Sequence, residues 1–506
     1  MRRALFLSLL LLVSCQPASK PVQSTLRMAI TEDIESFDPQ RARSIASQTV
    51  CKMLYDGLMR IDEEGRPIPS LAQVISISAD KRTYTITLQE SLWTDGEPVT
   101  AYDFEAAWRE ALDPETGSEN AAVFYPILNA RAAHAGELSL KQVGVRAIHA
   151  QQLVVQLGAP TPYFLELLAH PAYSPKAPDG KGTNGPFRLA SHRLQEAIVL
   201  EKNPTYWDAD AVQLDGITLK VVPDYTTALY LFEKGELDWI GSPTGNLPQE
   251  YAERAQLYTA PVAATLWYKF NTTRPPLDNA KLRKALSLAV DRQALVQHVL
   301  KGGQEATASP LPPALQGERR LPAVDIARAK ELLKEALEEM GIDELPPITL
   351  TYANGELTTK LTQALQEQWR QVLGLKVSLE STEFKTLLSR MGKMDYQMGG
   401  AKAWFADFQD PTGFLSLFTH AEEPGEGGLN ETGWEDPAYA RLIERAEVEV
   451  DPAKRAALLS EAEALFMEAM PVLPICDYRY RYQKRDFAGE RIPPAGTPDF
   501  KWVRRE

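Results

Sequence analysis

Between Ala403 and Leu415 a carboxylate, Asp407, stands among Trp404, Phe405 and Phe408. In a cleft shielded from water, such a group can hold a substrate ammonium, because the rings exclude water and strengthen the charge pairing. A structural reading is equally open at this level. Asp410 would cap a helix with Pro411 as its first residue, and the aromatics would pack a core. A hydrolytic reading would pair Asp407 with Asp410, three residues on, but no nucleophile, base or second acidic cluster accompanies them. His134, His149, His170, His192, His298 and His420 are scattered, and none stands at metal-ligand spacing from another His, Cys or carboxylate. Gly-rich phosphate loops, G-x-G-x-x-G after a strand and G-x-S-x-G are all absent from the sequence. A chain this long without a catalytic constellation reads as a binding protein and not an enzyme, with no metal and no cofactor.

Composition narrows the partners. The 506 residues are 44% hydrophobic and 24% charged, as in soluble globular proteins. Lys plus Arg number 54 against 68 Asp plus Glu, a net charge of −14, which argues against nucleic acid as a partner. Three cysteines exclude a disulfide-rich scaffold. The first of them closes an N-terminal signal: basic Met1-Arg2-Arg3, then an apolar run from Ala4 to Val13 broken by Ser8. That run falls short of the roughly 20 residues a membrane span needs, and suits a signal peptide of residues 1–14. Leu12-Val13-Ser14-Cys15 resembles the lipobox of bacterial lipoproteins, which implies cleavage before Cys15 and lipid on its sulfur. The alternative is an ordinary secretory signal with an incidental cysteine. Residues 15–25 read as a polar tether. Cys51 and Cys476 are left either to pair in an oxidising compartment or to be buried separately as thiols.

The elements that must position Asp407 alternate between strand and helix. Thr83 to Leu88 has strand periodicity with Tyr84, Ile86 and Leu88 on one face. Thr100 and Asp103 form an approximate capping box for a helix carrying Phe104, Ala107, Trp108 and Ala111. Leu282 to Gly303 and Asp325 to Gly341 read as helices, Ile348 to Tyr352 as a strand, Thr358 to Leu373 as a helix and Leu375 to Leu379 as a strand. Helices from Pro437 and Pro452 precede C-terminal strands. The pattern is mixed α/β in several lobes.

Many segments, in order, resemble the oligopeptide-binding proteins of bacterial ABC importers, the family 5 extracytoplasmic solute-binding proteins. The stretch Trp404-Phe405-Ala406-Asp407-Phe408-Gln409-Asp410-Pro411 resembles the family's W-x-A-D-Y-x-[DE]-P. Ser36-Phe37-Asp38-Pro39, Leu54-Tyr55-Asp56-Gly57-Leu58 and the block from Trp93 to Phe104 match its early motifs. Thr183-Asn184-Gly185-Pro186-Phe187, Asn203-Pro204-Thr205-Tyr206-Trp207, Gly235-Glu236-Leu237-Asp238, Asn271 to Leu277 and Val290-Asp291-Arg292 match later ones. The likeness runs from about residue 26 to 490.

The resemblance implies a periplasmic-binding-protein (Venus-flytrap) α/β fold, two lobes with a hinge plus an extra domain inserted beside the first lobe. Lobe I would comprise 26–55, 171–294 and 476–506, the extra domain 56–170, and lobe II 295–475. The implied function is a lipid-anchored receptor that captures oligopeptides between the lobes and delivers them to an ABC transporter permease. It would act as a monomer on the periplasmic or cell-surface side of a bacterial membrane. Asp407 is the residue that matches the family's partner for the peptide α-ammonium. Trp404 matches the family tryptophan, Ala403 and Phe405 would offer backbone partners, and Asn271 and Asn430 match asparagines facing the cleft. An arginine that can take the peptide carboxylate often stands three residues before the tryptophan. Here that place is Ala401, in a strand one residue longer, and Lys402 is either its substitute or a surface lysine. Val123-Phe124-Tyr125 would close one end of the cleft or pack a helix face. The same fold could serve another solute, such as an oligosaccharide, a nickel complex or haem. A secreted hydrolase is the alternative of another class.

Overall fold

The computed structural model describes residues 24–118, 120–242, 256–316, 324–421, 430–495 and 497–506. The expected signal peptide and lipidated cysteine lie outside them. Among the described residues no helix is long and apolar enough to cross a membrane.

One mixed sheet runs through the molecule. Its neighbours in order are Val377–Thr382, Ile348–Ala353, Met398–Phe405, Tyr258–Phe270, Val472–Lys484, Trp239–Ser242, Thr25–Ile30, Gly216–Val221, Ala197–Lys202 and Phe187–Arg193. Two antiparallel strands of 13 residues each, Tyr258–Phe270 and Val472–Lys484, lie at its middle. Their outer halves belong to the first core, where Tyr482 stacks on Trp239 and on Tyr258 at centroid distances of 4.4 and 5.3 Å. Their inner halves enter a second core through Tyr268, Phe270, Leu473 and Ile475. Their mutual register shifts between Pro261 and Thr265 and again between Leu266 and Trp267. The chain therefore crosses earlier than the boundary expected at 294 and 295. Leu277, Leu282, Leu286 and Val290 pack with Leu350, Leu365 and Trp369 in the second core.

The segment from 56 to 170 builds its own four-stranded antiparallel sheet, in the order Ala72–Ile77, Thr83–Leu88, Gln152–Gln156, Val145–His149. Tyr84, Ile86 and Leu88 alternate into the core as their period requires. The helix Ala101–Ala111 starts at the capping box, with Thr100 N–H donating to Asp103 at 2.7 Å, and buries Phe104, Ala107, Trp108 and Ala111. Phe124 is fully buried against Trp108 and Tyr173, so the run Val123-Phe124-Tyr125 packs the interior of this domain.

Motifs far apart in sequence converge on the buried Asp56. Its carboxylate accepts from Arg60 Nε at 2.8 Å, Ser70 Oγ at 2.6 Å, Tyr206 Oη at 2.7 Å and Trp207 Nε1 at 2.8 Å. Asn184 bonds both the backbone N–H and the carbonyl of Asp56. Arg60 also reaches Asp499 at 2.6 Å. Burial alone would raise Asp56, but Arg60 and Lys501 outweigh it and hold the carboxylate below its usual range. This network ties the start of the chain, the extra domain and the C-terminal segment into one body. Cys51 and Cys476 are separate, buried free thiols.

Candidate ligand-binding site

Asp407 lies just beyond the end of the strand Met398–Phe405, and the local pairing explains what that end can do. On one side the strand pairs antiparallel with Tyr258–Phe270 from Met398–Phe270 to Phe405–Ala264. The register jumps from Trp267–Lys402 to Tyr268–Gly400, so Ala401 is the extra residue of a β-bulge. On the other side, parallel pairing with Ile348–Ala353 stops at Tyr352–Gly400. Beyond Gly400, residues 401–405 have a strand partner on one side only among the described residues. Ala403 and Phe405 thus lie on a sheet edge able to bond an added extended chain. The side chain of Lys402 lies outside the described residues.

The loop after the strand is fixed from within. Ala406 N–H donates to Ala263 O at 2.9 Å, and Trp404 Nε1 donates to Gly413 O at 2.8 Å across the loop. Asp410 is buried and fully used. It accepts from Thr412 N–H and Oγ1 at 2.9 and 2.6 Å, and it takes both guanidinium nitrogens of Arg455 at 2.6 and 2.8 Å. The short helix starts at Thr412 with Pro411 at its cap position, one residue later than the sequence reading placed it, and Asp410 holds Thr412 from just before the cap. Asp407, by contrast, is exposed and has no hydrogen-bond or ion-pair partner among the described residues.

The extra domain grips the same loop. Phe408 stacks on Tyr163 with centroids 4.6 Å apart and planes 9° from parallel, and Arg455 lies 5.9 Å above the Tyr163 ring. The Gln409 amide fills the space a side chain at Gly65 would take, and Gly65 has a φ of +84°. Behind Asp407 a pocket of about 20 Å³, room for one water, is walled by Lys52, Glu166, His170 and Thr497. His170 Nδ1 accepts the Ala172 N–H at 3.1 Å, so the neutral ring carries its proton on Nε2. Burial lowers the His170 pKa, with Asp407 opposing and Lys52 assisting. Burial also pulls Lys52 down to about 8, although Asp499 supports its charge and its ammonium donates to Thr497 O at 3.2 Å.

The two asparagines do not face a cleft, contrary to expectation. Asn271 is 0% exposed. It donates to Met394 O and Tyr396 O, both at 3.0 Å, and accepts from Thr273 N–H and Oγ1 at 3.1 and 2.7 Å. Asn430, 3% exposed, donates to His420 O and Trp434 O and accepts from Thr432 N–H and Oγ1. In both, an Asn-x-Thr triplet uses the amide oxygen to close a local turn and the amide nitrogen to hold two backbone carbonyls packed against it. That triplet was the visible signal. Glu166, His170, Tyr163 and Lys52, which surround the Asp407 loop, stand in segments with no recognisable site pattern.

Two α/β lobes sharing crossing strands, an added domain and a carboxylate at their junction define a two-lobe binding-protein fold. Residues 66–426 match the model of bacterial extracellular solute-binding proteins, family 5. The chain is 38% identical over 507 residues to the oligopeptide-binding protein OppA of Bacillus subtilis, covering 95% of this chain and 92% of that one. Among solved structures it resembles the Escherichia coli murein tripeptide-binding protein MppA, at 28% identity and a TM-score of 0.80, covering 96% and 99% of the two chains. It also resembles Listeria monocytogenes OppA bound to peptide, at 26% identity and a TM-score of 0.77 over the same shares. The protein belongs to the family 5 extracellular solute-binding proteins.

Proposed function

We propose that this protein is a receptor that captures oligopeptides between its lobes and passes them to an ABC transporter permease. The observation that carries the proposal is the Asp407 carboxylate, exposed and without a partner among the described residues, next to a sheet edge that no described strand covers over residues 401–405. An extended peptide laid along that edge satisfies its backbone on the strand and sets its α-ammonium against Asp407. Relatives named for peptide binding support the reading. The three-segment first lobe, the inserted domain and the second lobe form the two jaws and the wall of the cleft, and ligand favours closure by touching both jaws. Lys402 is the candidate for the peptide carboxylate. Cys15 is the proposed lipid attachment that keeps the receptor beside its permease on the outer side of the membrane.

The reading is tested by native mass spectrometry of the purified protein, followed by calorimetry with free and N-acetylated tripeptides. Acetylation removes the charge facing Asp407 and is expected to abolish most of the affinity. Asp407→Asn should cost about 2–5 kcal/mol for the free peptide. Equal binding of free and acetylated peptides refutes the role of Asp407.

A further inference from the structure

Glu166 is the one residue that lines both the small pocket holding Asp407 and a much larger cavity beside it. That cavity, about 580 Å³, opens between the extra domain and the second lobe. Its walls are apolar where Leu315 and Leu459 stand, and acidic where Glu166, Glu449 and Asp410 stand, with Arg455 as the cation. Arg455 gives both terminal nitrogens to Asp410 and its Nε to Ala446 O at 2.9 Å, so its charge is spent locally. Glu166 has no ion-pair partner among the described residues, and burial raises its pKa. The shared small pocket also carries unmet polar capacity. Thr497, 2% exposed, has a buried hydroxyl with no hydrogen-bond partner among the described residues, and Gln409 Oε1 is likewise without one.

These features ask for a ligand group with an apolar stem and a cationic end, branching from a point next to the α-ammonium. The first side chain of a peptide held at Asp407 starts at that point. We infer that the Glu166 cavity receives the first side chain of the bound peptide and selects lysine or arginine there. The methylene stem lies along Leu315 and Leu459, and the charged end pairs with Glu166. The inference rests on the peptide-receptor reading above. Asp407 recognises what every free peptide has, and Glu166 discriminates among peptides by what only some have.

The test uses three peptides, Lys-Ala-Ala, norleucine-Ala-Ala and Ala-Ala-Ala, titrated into the wild-type protein and into Glu166→Gln. Norleucine keeps the stem and lacks the charge. In the wild type, Lys-Ala-Ala should bind at least roughly tenfold tighter than the norleucine peptide, the low end for a close charge pair at an interface. In Glu166→Gln that ratio should fall to about one, and thermal unfolding followed by circular dichroism shows that the variant is folded. Equal affinities of the lysine and norleucine peptides in the wild type, or a ratio that survives in Glu166→Gln, overturn the inference and leave the peptide receptor standing. If none of the three peptides binds the wild type, the receptor reading falls and this inference with it.

Discussion

Asp477 stands where the two crossing strands change register, and its ionisation should be felt there. Its neighbour across the strands is Thr265, fully buried, whose Oγ1 donates to Asp477 Oδ1 at 2.9 Å. On its other side it faces Glu305 across the strand pair, and Arg479 lies two residues on. Burial pushes the carboxyl from 3.8 up to about 8, with Glu305 adding to the rise and Thr265 and Arg479 opposing it. The folded protein therefore keeps a proton that the unfolded chain releases near pH 4. Across that interval the native state binds more protons, so unfolding free energy must fall as pH rises. One pH unit is worth about 1.4 kcal/mol for one such group. Between pH 5 and pH 8 the loss amounts to roughly 4 kcal/mol. Asp477→Asn keeps the shape and the acceptor for Thr265 and cannot ionise. Urea unfolding followed by tryptophan fluorescence at pH 5, 6, 7 and 8 would give both profiles. Their difference cancels every other titrating group, and the variant should gain about 4 kcal/mol relative to wild type from the first pH to the last. Parallel profiles would show that Asp477 is ionised throughout, and the account of the crossing would be wrong.

Tyr163→Ala removes the ring on which Phe408 lies and should speed peptide release about fivefold, as the loss of one aromatic pair worth ~1 kcal/mol implies. Stopped-flow displacement reads this, and an unchanged release rate would remove the extra domain from control of the loop. Asn271→Ala leaves two carbonyls and two Thr273 donors without partners, so it should lower stability by about 2–4 kcal/mol while the folded fraction binds peptide normally. Calorimetry on the folded variant decides between that structural role and a ligand contact. For a form beginning after Cys15, thiol titration should find no reactive thiol in the native state and two after denaturation, since Cys51 and Cys476 are free and buried. The loss of both equivalents under denaturing, non-reducing conditions would point to a bond between them.

The Asp407 loop was legible because its chemistry is contiguous. A carboxylate, its aromatic neighbours and the Asp-Pro helix start all fall within Trp404 to Pro411. Periodicity likewise exposed the strand Thr83–Leu88 and the helix Ala101–Ala111, whose inner faces are set by local geometry. The crossing between lobes was misplaced because an apolar helix such as Ala280–Leu288 reads the same in either core. Tyr163, Gly65 and Arg455 were invisible because their roles arise only when three distant segments meet over one loop. Asn271 and Asn430 show the converse failure. A residue shared with a family was given a task at the ligand, while its hydrogen bonds bind the protein to itself.

The buried cluster around Asp56 also makes two distant stretches of the chain depend on each other. Arg60 has one of its two carboxylate partners four residues away and the other 439 residues away, and Lys52 donates to a carbonyl 445 residues distant. Burying a cation is tolerable only where its partners are in place. A truncation before Asp499 removes Asp499 and Lys501 together, and it leaves Arg60 and Lys52 in a buried site without those partners. The interior at one end of the fold is thus secured by residues from the other end of the described chain, so a local change in either stretch is felt in both.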